Sequence, residues 1–354
     1  MKTPKRTSSF TGKDIYVGID VHLRQWSVTI RTEHLTLRTF SMNPSPEELA
    51  THLQKNYPGA VYHSVYEAGF CGFWIHRALV RLGINNIVVN PADVPTTHKE
   101  KVQKRDKRDS RKLARGLAHG YLTPIYVLSE EAEALRALGR RLLQISKSQR
   151  RVKTRIKHLL HTQGIVLPSH SEISHWSANF IDWLRSQRFS SDNYHFYLDS
   201  LLEELAFLRQ LRLKLYRQIR QQIKGNEVLK NLRTVPGIGF VIAFTFYTEI
   251  IDIYRFRILD ELLSYLGLVP AVRASDEKEH ILGLTSRGNK YLRHLLIEGA
   301  WVAIRFDPEL TIAYEAQIKT KIHKKAIIRI TKKLVSRMRY VWKNNQEYVI
   351  AVAE

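Results

Sequence analysis

Cysteine is almost missing from these 354 residues: Cys71 stands alone. Its solitude excludes intrachain disulfides and any cysteine-rich zinc site, and it points to a reducing, cytoplasmic compartment. Long apolar runs are missing as well. The longest, around Ile238 to Tyr247, falls far short of the ~20 residues that span a bilayer. The N-terminus is polar and basic and lacks the apolar segment of a signal peptide, so neither export nor a membrane is expected. Acids are scarce: 33 Asp and Glu face 56 Lys and Arg, giving a formal net charge of +23 and a pI of 10.0. Such an excess repels itself in a compact fold unless a polyanion compensates it. Nucleic acid is the commonest compensator, driven by counterion release, and an anionic membrane surface is its competitor. The hydrophobic share, 44%, is ordinary, and the length allows a full core and two domains.

The pattern along the chain divides it into four parts. Residues 1–13 read as a disordered basic tail. From 14 to 128, short β-branched runs alternate with amphipathic ones: Ile15 to Asp20, Trp26 to Ile30 and Leu35 to Met42 as strands, a helix from Pro46 to about Tyr57 capped by Ser45, a strand from Ala60 to Tyr66, a helix from Phe73 to Leu82, and a strand at Ile87 to Val89. This order predicts an α/β domain with a mixed sheet. From 129 to 225 the period becomes helical, with Leu142, Ile145, Val152, Ile156 and Leu159 on one face and bases on the other. No acid occurs between Glu133 and Glu172. A second helix from Leu198 to about Lys224 repeats the style, and the pair predicts a coiled-coil arm. The intervening stretch, 165–195, has no clear period. Residues 226–354 are mostly helical and end in a basic helix, Lys319 to Lys343, with ten Lys and Arg and no acid.

Carboxylates fall where a metal site can be built. Asp20 ends the first strand, Glu67 ends a later one, and Asp106 and Asp109 are spaced to share a helix face. Hard divalent cations take oxygen ligands, and a pair of such ions activates an attacking oxygen and stabilises a leaving one. The plain alternative is that a strand-end Asp serves a turn or cap, and that Asp106 and Asp109 only balance nine Lys and Arg between Lys99 and Arg115. The conjunction of four acids in an acid-poor basic domain favours chemistry. Lys104, Arg105, Arg108 and Arg111 would then hold phosphates beside the metals. Asp14 and Asp93 are weaker candidates, Asp93 as a loop cap.

Further on, Val235-Pro236-Gly237-Ile238-Gly239 opens a helix and resembles a helix-hairpin-helix turn, in which Gly237 and Gly239 bring backbone amides to a phosphate. A polar loop, Arg273 to His280, precedes Arg287 and Lys290. A serine in such a loop is ordinarily a turn residue, and no His or Lys is placed beside Ser275 by spacing alone. The residues by themselves stop at basic, metal-dependent phosphodiester chemistry.

With these residues in view, the chain resembles the insertion-sequence one-ten family of transposases, the DEDD-type or Piv-like recombinases. Ile15-Tyr16-Val17-Gly18-Ile19-Asp20-Val21-His22 is similar to the family's first motif, Tyr66-Glu67-Ala68-Gly69-Phe70 to its second, and Lys104 to Asp109 to its third and fourth acids. Val235 to Gly239 and the block from Leu268 to Arg293 are similar to its C-terminal domain. The resemblance covers about 14–305. It implies a ribonuclease H–like (RuvC-like) domain whose acids Asp20, Glu67, Asp106 and Asp109 bind magnesium or manganese. It also implies a coiled-coil arm, with Arg150, Arg151, Lys153 and Arg155 as nucleic-acid contacts, and a serine nucleophile in the C-terminal domain. Where the family has a Ser-Ser-Gly run this chain reads Ala274-Ser275-Asp276, so Ser275 takes the nucleophile's place, with Ser286 and Ser264 as distant alternatives.

The implied reaction is excision and insertion of a mobile element in the bacterial cytoplasm or nucleoid. The partners are double-stranded DNA and a structured bridge RNA, and the composite site is shared between subunits of a dimer or tetramer. RNA guidance accounts for the lack of a recognition helix of helix-turn-helix type. Two rivals follow from the same residues: a RuvC-like nuclease that cuts branched DNA with water, and a non-catalytic nucleic-acid chaperone whose acids are structural.

Overall fold

The computed structural model describes residues 10–95, 106–275 and 278–350, with side chains throughout except in 106–108, 272–275 and 278–282. It divides into two compact units, Met1–Ser129 and Glu130–Glu354.

The first unit is built on a five-stranded sheet in the order β3-β2-β1-β4-β5. Its strands are β1 (Asp14–Val21), β2 (Trp26–Arg31), β3 (Thr36–Met42), β4 (Val61–Glu67) and β5 (Asn85–Val89). β1, β2 and β3 pair antiparallel; β1, β4 and β5 pair parallel. The sheet is therefore mixed, as the alternation of strand and helix patterns predicts. Alternation sorts β1 between two faces. Ile15, Val17 and Ile19 are fully buried with Leu49, Leu53, Ile75 and Leu79 of α1 (Pro46–Asn56) and α2 (Trp74–Arg81). Each such burial contributes about 1.5–3 kcal/mol. α1 starts where the sequence signals it: the Ser45 hydroxyl accepts from the Glu48 amide at 3.1 Å, and Pro46 occupies the first turn. The other face carries Gly18 and Asp20 and is covered by α3 (Asp106–Ala118), whose Leu113 packs with Val65 and Val89.

Two expectations are corrected in this unit. Residues 10–13 do not belong to a loose tail, because Phe10 packs edge-on against Tyr57 at 5.1 Å and the Gly12 amide donates to the Gly59 carbonyl at 2.9 Å. Residues 1–9 lie outside the described residues. In the turn Pro91–Asp93, the capping side chain is Asn90, which accepts from the Ala92 amide at 3.1 Å and donates to the Asp93 carboxylate. Asp93 is thus a partner of the cap and not the cap itself.

The second unit opens with two long helices, α4 (Glu130–Thr162) and α6 (Asp192–Gln222). Their apolar faces meet along a seam in which Val152, Ile156, Leu159 and Leu160 join Leu198, Leu201, Leu202 and Leu205. The stretch without clear period contains α5 (Ala178–Arg185), capped by Ser177, which plugs Phe180 and Leu184 into that seam. At the other end of the pair, Leu142 and Ile219 enter the core of the C-terminal helices. These are α7 (Glu227–Leu232), α8 (Phe240–Ile250), α9 (Leu259–Tyr265), α10 (Lys290–Ala303), α11 (Pro308–Ile318) and α12 (His323–Asn344). Two strands, β6 (Pro270–Ser275) and β7 (Lys278–Leu284), form an antiparallel pair where the sequence suggested a polar loop. The basic helix begins at His323, after a break at 319–322, and not at Lys319 as the run of bases implied.

Candidate functional site

In the parallel pair β1 and β4, Ile19 stands opposite Tyr66. One residue further along each strand, Asp20 and Glu67 therefore lie side by side on the sheet face that α3 covers. Both are part-buried. His22 Nε2 lies 3.2 Å from an Asp20 carboxylate oxygen, a partner that spacing alone did not single out. α3 carries the remaining acids, Asp106 and Asp109, in its first turn. Ser110 and Ala114 lie over Gly18, two residues before Asp20, and the Ser110 hydroxyl reaches Ser27, which pairs with Asp20. Asp109 is part-buried; the Asp106 side chain lies outside the described residues, as do Lys104, Arg105 and the Arg108 side chain.

The sequence locks α3 in this place by two devices. Gly18 has no side chain because none fits: a Cβ would come within 2.1 Å of the Ser110 carbonyl oxygen and 2.4 Å of the Ala114 nitrogen. Beside it, the Ser110 hydroxyl meets Thr29 at 2.9 Å and Ser27 at 3.3 Å, and Thr29 meets Thr39 at 3.2 Å. Arg111 Nε donates to the Thr39 hydroxyl at 3.1 Å, which fixes its place beside the helix. Buried hydroxyls satisfied by one another cost little and fix register. The alternation in Ser27 and Thr29 is the signal for this ladder, legible only once the helix that covers it is known.

Among the described residues no three His, Cys, Asp or Glu side chains gather into a metal-binding group. Asp20 and Glu67 nonetheless form the hard, oxygen-only donor pair that magnesium or manganese favours over soft metals. Asp14 does not join them. It sits at the opposite end of β1, where His63 Nε2 approaches it at 2.8 Å.

In the second unit Ser275 closes β6, with its side chain outside the described residues. The feet of the β6–β7 pair are held tightly. Gly267 (φ +69) and Gly288 (φ +115) touch backbone to backbone, and Arg293 donates to the carbonyls of Gly267 at 3.1 Å and Thr285 at 2.8 Å. Asn289 caps α10 and also donates to the Glu249 carboxylate at 2.8 Å. Glu249, 1% exposed, accepts two bonds from Arg140 of α4, at 2.7 and 3.0 Å, while Tyr265 donates to its carbonyl. That carboxylate raises the Arg140 pKa above the ordinary guanidinium value, chiefly through the hydrogen bonds. Glu249 was not a sequence candidate, because it stands in an otherwise apolar run. Ser264 and Ser286 are exposed, and neither lies on the β6–β7 strands; Arg287 and Lys290 are exposed near their feet.

The proposed arm contacts divide. Lys153 Nζ lies over the Trp176 ring at 4.9 Å, and burial pushes its pKa down. Arg155 lies 3.7 Å from Glu204. Arg150 and Arg151 are exposed. The two glycines of the turn before α8 also differ: a Cβ on Gly237 would strike the Gly299 carbonyl at 2.2 Å, whereas one on Gly239 would meet nothing within 4 Å. Gly237 is there for packing against α10.

Comparison with known proteins assigns both units. Residues 229–315 match the family model described as "Transposase IS116/IS110/IS902 family", and residues 17–164 match the DEDD-type IS110 transposase model. A Sinorhizobium fredii protein designated a transposase, y4qE, is 31% identical over 247 residues, which are 69% of this chain and 59% of that protein. The transposase for insertion sequence element IS1111A of Coxiella burnetii is 24% identical over 74% of this chain and 71% of its own length. The transposase for IS1533 of Leptospira borgpetersenii is 25% identical over 68% and 70%. Both models match in the same order as the acids and the serine strand, and the chain belongs to the IS110/IS116/IS902 family of transposases.

Proposed function

We propose that this chain cuts and rejoins DNA to excise and insert a mobile element, with a ribonuclease H–like (RuvC-like) metal site in the first unit and a serine nucleophile in the second. The observation that carries this reading is the pairing of Asp20 with Glu67 at the ends of two parallel strands, beneath the helix that carries Asp109 and Asp106. A chain with a net charge of +23 has no structural need to set two of its carboxylates side by side at the ends of neighbouring strands. Repulsion between them is tolerable where a cation is to be held.

Asp20, Glu67, Asp106 and Asp109 would hold magnesium or manganese, which supplies charge neutralisation at a phosphate. The rest of the reaction belongs to side chains. Ser275 Oγ forms a bond to phosphorus, the sugar oxygen leaves carrying the proton the serine gave up, and the chain is joined to DNA as a phosphoserine. A hydroxyl of the second strand then takes the phosphorus, and Ser275 recovers its proton. One phosphodiester is exchanged for another at each turn, so no outside energy source is needed. The two sites work together across subunits of a dimer or tetramer, and a structured bridge RNA selects the DNA. Lys104, Arg105, Arg108 and Arg111 hold phosphates beside the acids, and Gly239, Arg287 and Lys290 do so in the second unit.

The test uses the full chain, magnesium, DNA with the element ends and the flanking RNA. After denaturation, a protein–DNA adduct at Ser275 that is absent in Ser275→Ala is the expected result. Cut DNA with no adduct in the wild type refutes the serine route in favour of water. A separate expectation concerns the arm: Arg150→Ala together with Arg151→Ala should lower the slope of log affinity against log salt by about two. The cleavage rate of bound complex should stay at the wild-type value. An unchanged slope removes these residues from the interface.

A further inference from the structure

A cleft of about 540 Å³ lies where α8 begins, between that helix and the two long helices α4 and α6. α8 starts after Gly239, whose φ of −76° and ψ of 174° are ordinary extended backbone, and no side chain caps it. The first amides of this 11-residue helix have no partner within the helix, and they carry the positive end of its dipole. Gly239 leaves them uncovered, since a Cβ there would meet nothing within 4 Å.

Side chains from both long helices face the same cleft: Gln149 from α4, and Arg209 and Arg212 from α6. Gln149 is 8% exposed, and its amide has no hydrogen-bond partner among the described residues. That amide opens into the cleft, where a ligand that accepts its hydrogens can reach it. Arg209 gives one nitrogen to the Trp176 carbonyl at 2.7 Å and keeps other donors; Arg212 is exposed. Arg220 adds a third cation at the margin, 4.8 Å above the Tyr216 ring and 5.5 Å above that of Phe240. The donors all point to an anion with several acceptor oxygens. The remaining wall is carbon, from Leu213, Tyr216 and Phe240. A free phosphate would leave that wall bare, whereas a sugar attached to the phosphate would cover it.

We infer that this cleft binds a phosphodiester of a polynucleotide backbone. The α8 amides and the Gln149 amide donate to its non-bridging oxygens, and Arg209 and Arg212 neutralise it. The inference rests on the reading that this chain works on nucleic acid, and not on the cleavage chemistry. It also separates the roles of the two turn glycines, with Gly239 facing the ligand.

The decisive variant is Gly239→Asp. Aspartate is among the best residues at a helix N-cap, so the fold should be held or strengthened. Its carboxylate would occupy the phosphate's place. Equilibrium binding of the full chain, without metal, is measured against a random-sequence DNA duplex, an RNA hairpin and inorganic phosphate, beside a thermal melt. The expected result is an unchanged or higher Tm in Gly239→Asp. Affinity for at least one of the two polymers should fall about tenfold, with the salt slope lower by about one. Arg212→Ala should lose affinity in the same direction. Wild-type affinity and slope on both polymers in Gly239→Asp would overturn the assignment. So would binding of inorganic phosphate that the variant loses while polymer affinity is kept. Because metal is absent, an enzyme inactive in cleavage tests the cleft as well as an active one.

Discussion

Asp20→Asn is expected to slow strand cleavage by about a thousandfold, roughly 4 kcal/mol of transition-state stabilisation, while DNA affinity and Tm stay near the wild type. Asparagine keeps the size of the side chain and one acceptor oxygen, and removes the charge that a divalent cation needs. Asp20 sits at a strand end and is part-buried, so the fold does not depend on its charge as it does on Ile19 beside it. Glu67→Gln should act in the same direction, because the register of β1 and β4 sets the two carboxylates next to each other. Single-turnover cleavage at saturating magnesium is the measurement. If both variants cleave within about threefold of the wild type, the acids are structural and the chaperone reading takes the place of the enzyme. A further check lies in the double variant, which should be no worse than either single one when the two carboxylates serve one site.

Gly18→Ala is the second large effect, and it works through packing. The added carbon would lie 2.1 Å from the Ser110 carbonyl and 2.4 Å from the Ala114 nitrogen, so α3 must move off the sheet. Overpacking of this kind costs about 1–3 kcal/mol, and here backbone, not a flexible side chain, is in the way. The shift also strains the contacts of Ser110 with Thr29 and Ser27. Cleavage should fall further than the loss of folded protein accounts for, because the same helix starts at Asp106 and includes Asp109. Melting curves and cleavage rates, both taken well below Tm, separate the two losses. Wild-type stability in Gly18→Ala would mean that α3 does not lie against β1 as described.

Much of this was readable from residues alone, for physical reasons. Strands with period two, such as Ile15-Tyr16-Val17-Gly18-Ile19, and the capped start of α1 at Ser45 declare themselves locally. Asp20 and Glu67 were visible because each ends such a strand. That they are neighbours needs the parallel pairing of β1 with β4, which is not a local property. The hydroxyl ladder from Ser27 to Ser110 joins residues 83 apart in the chain, so composition gives no hint of it. Glu249 escaped for the opposite reason. It lies in the apolar run of α8, and its partners Arg140 and Asn289 are 109 and 40 residues away. The strand pair around Ser275 resembles a loop in the sequence because Asp276, Glu277 and Lys278 break the alternation between β6 and β7. The stretch 165–195 lacked a period since only the short α5 enters the core there.

The clasp formed by Gly267, Gly288 and Arg293 has a consequence for how this part of the chain can change. Among the described residues, Gly267, Gly288 and Arg293 fasten β6 and β7 to the body of the unit at their two feet. Inserted or deleted pairs of residues above that point would lengthen or shorten the ribbon and leave the clasp in place. The unit is thereby a socket that accepts interchangeable attachments. A β6–β7 segment taken from a relative, cut at Val269 and Thr285, should seat in it with the native helices unaltered.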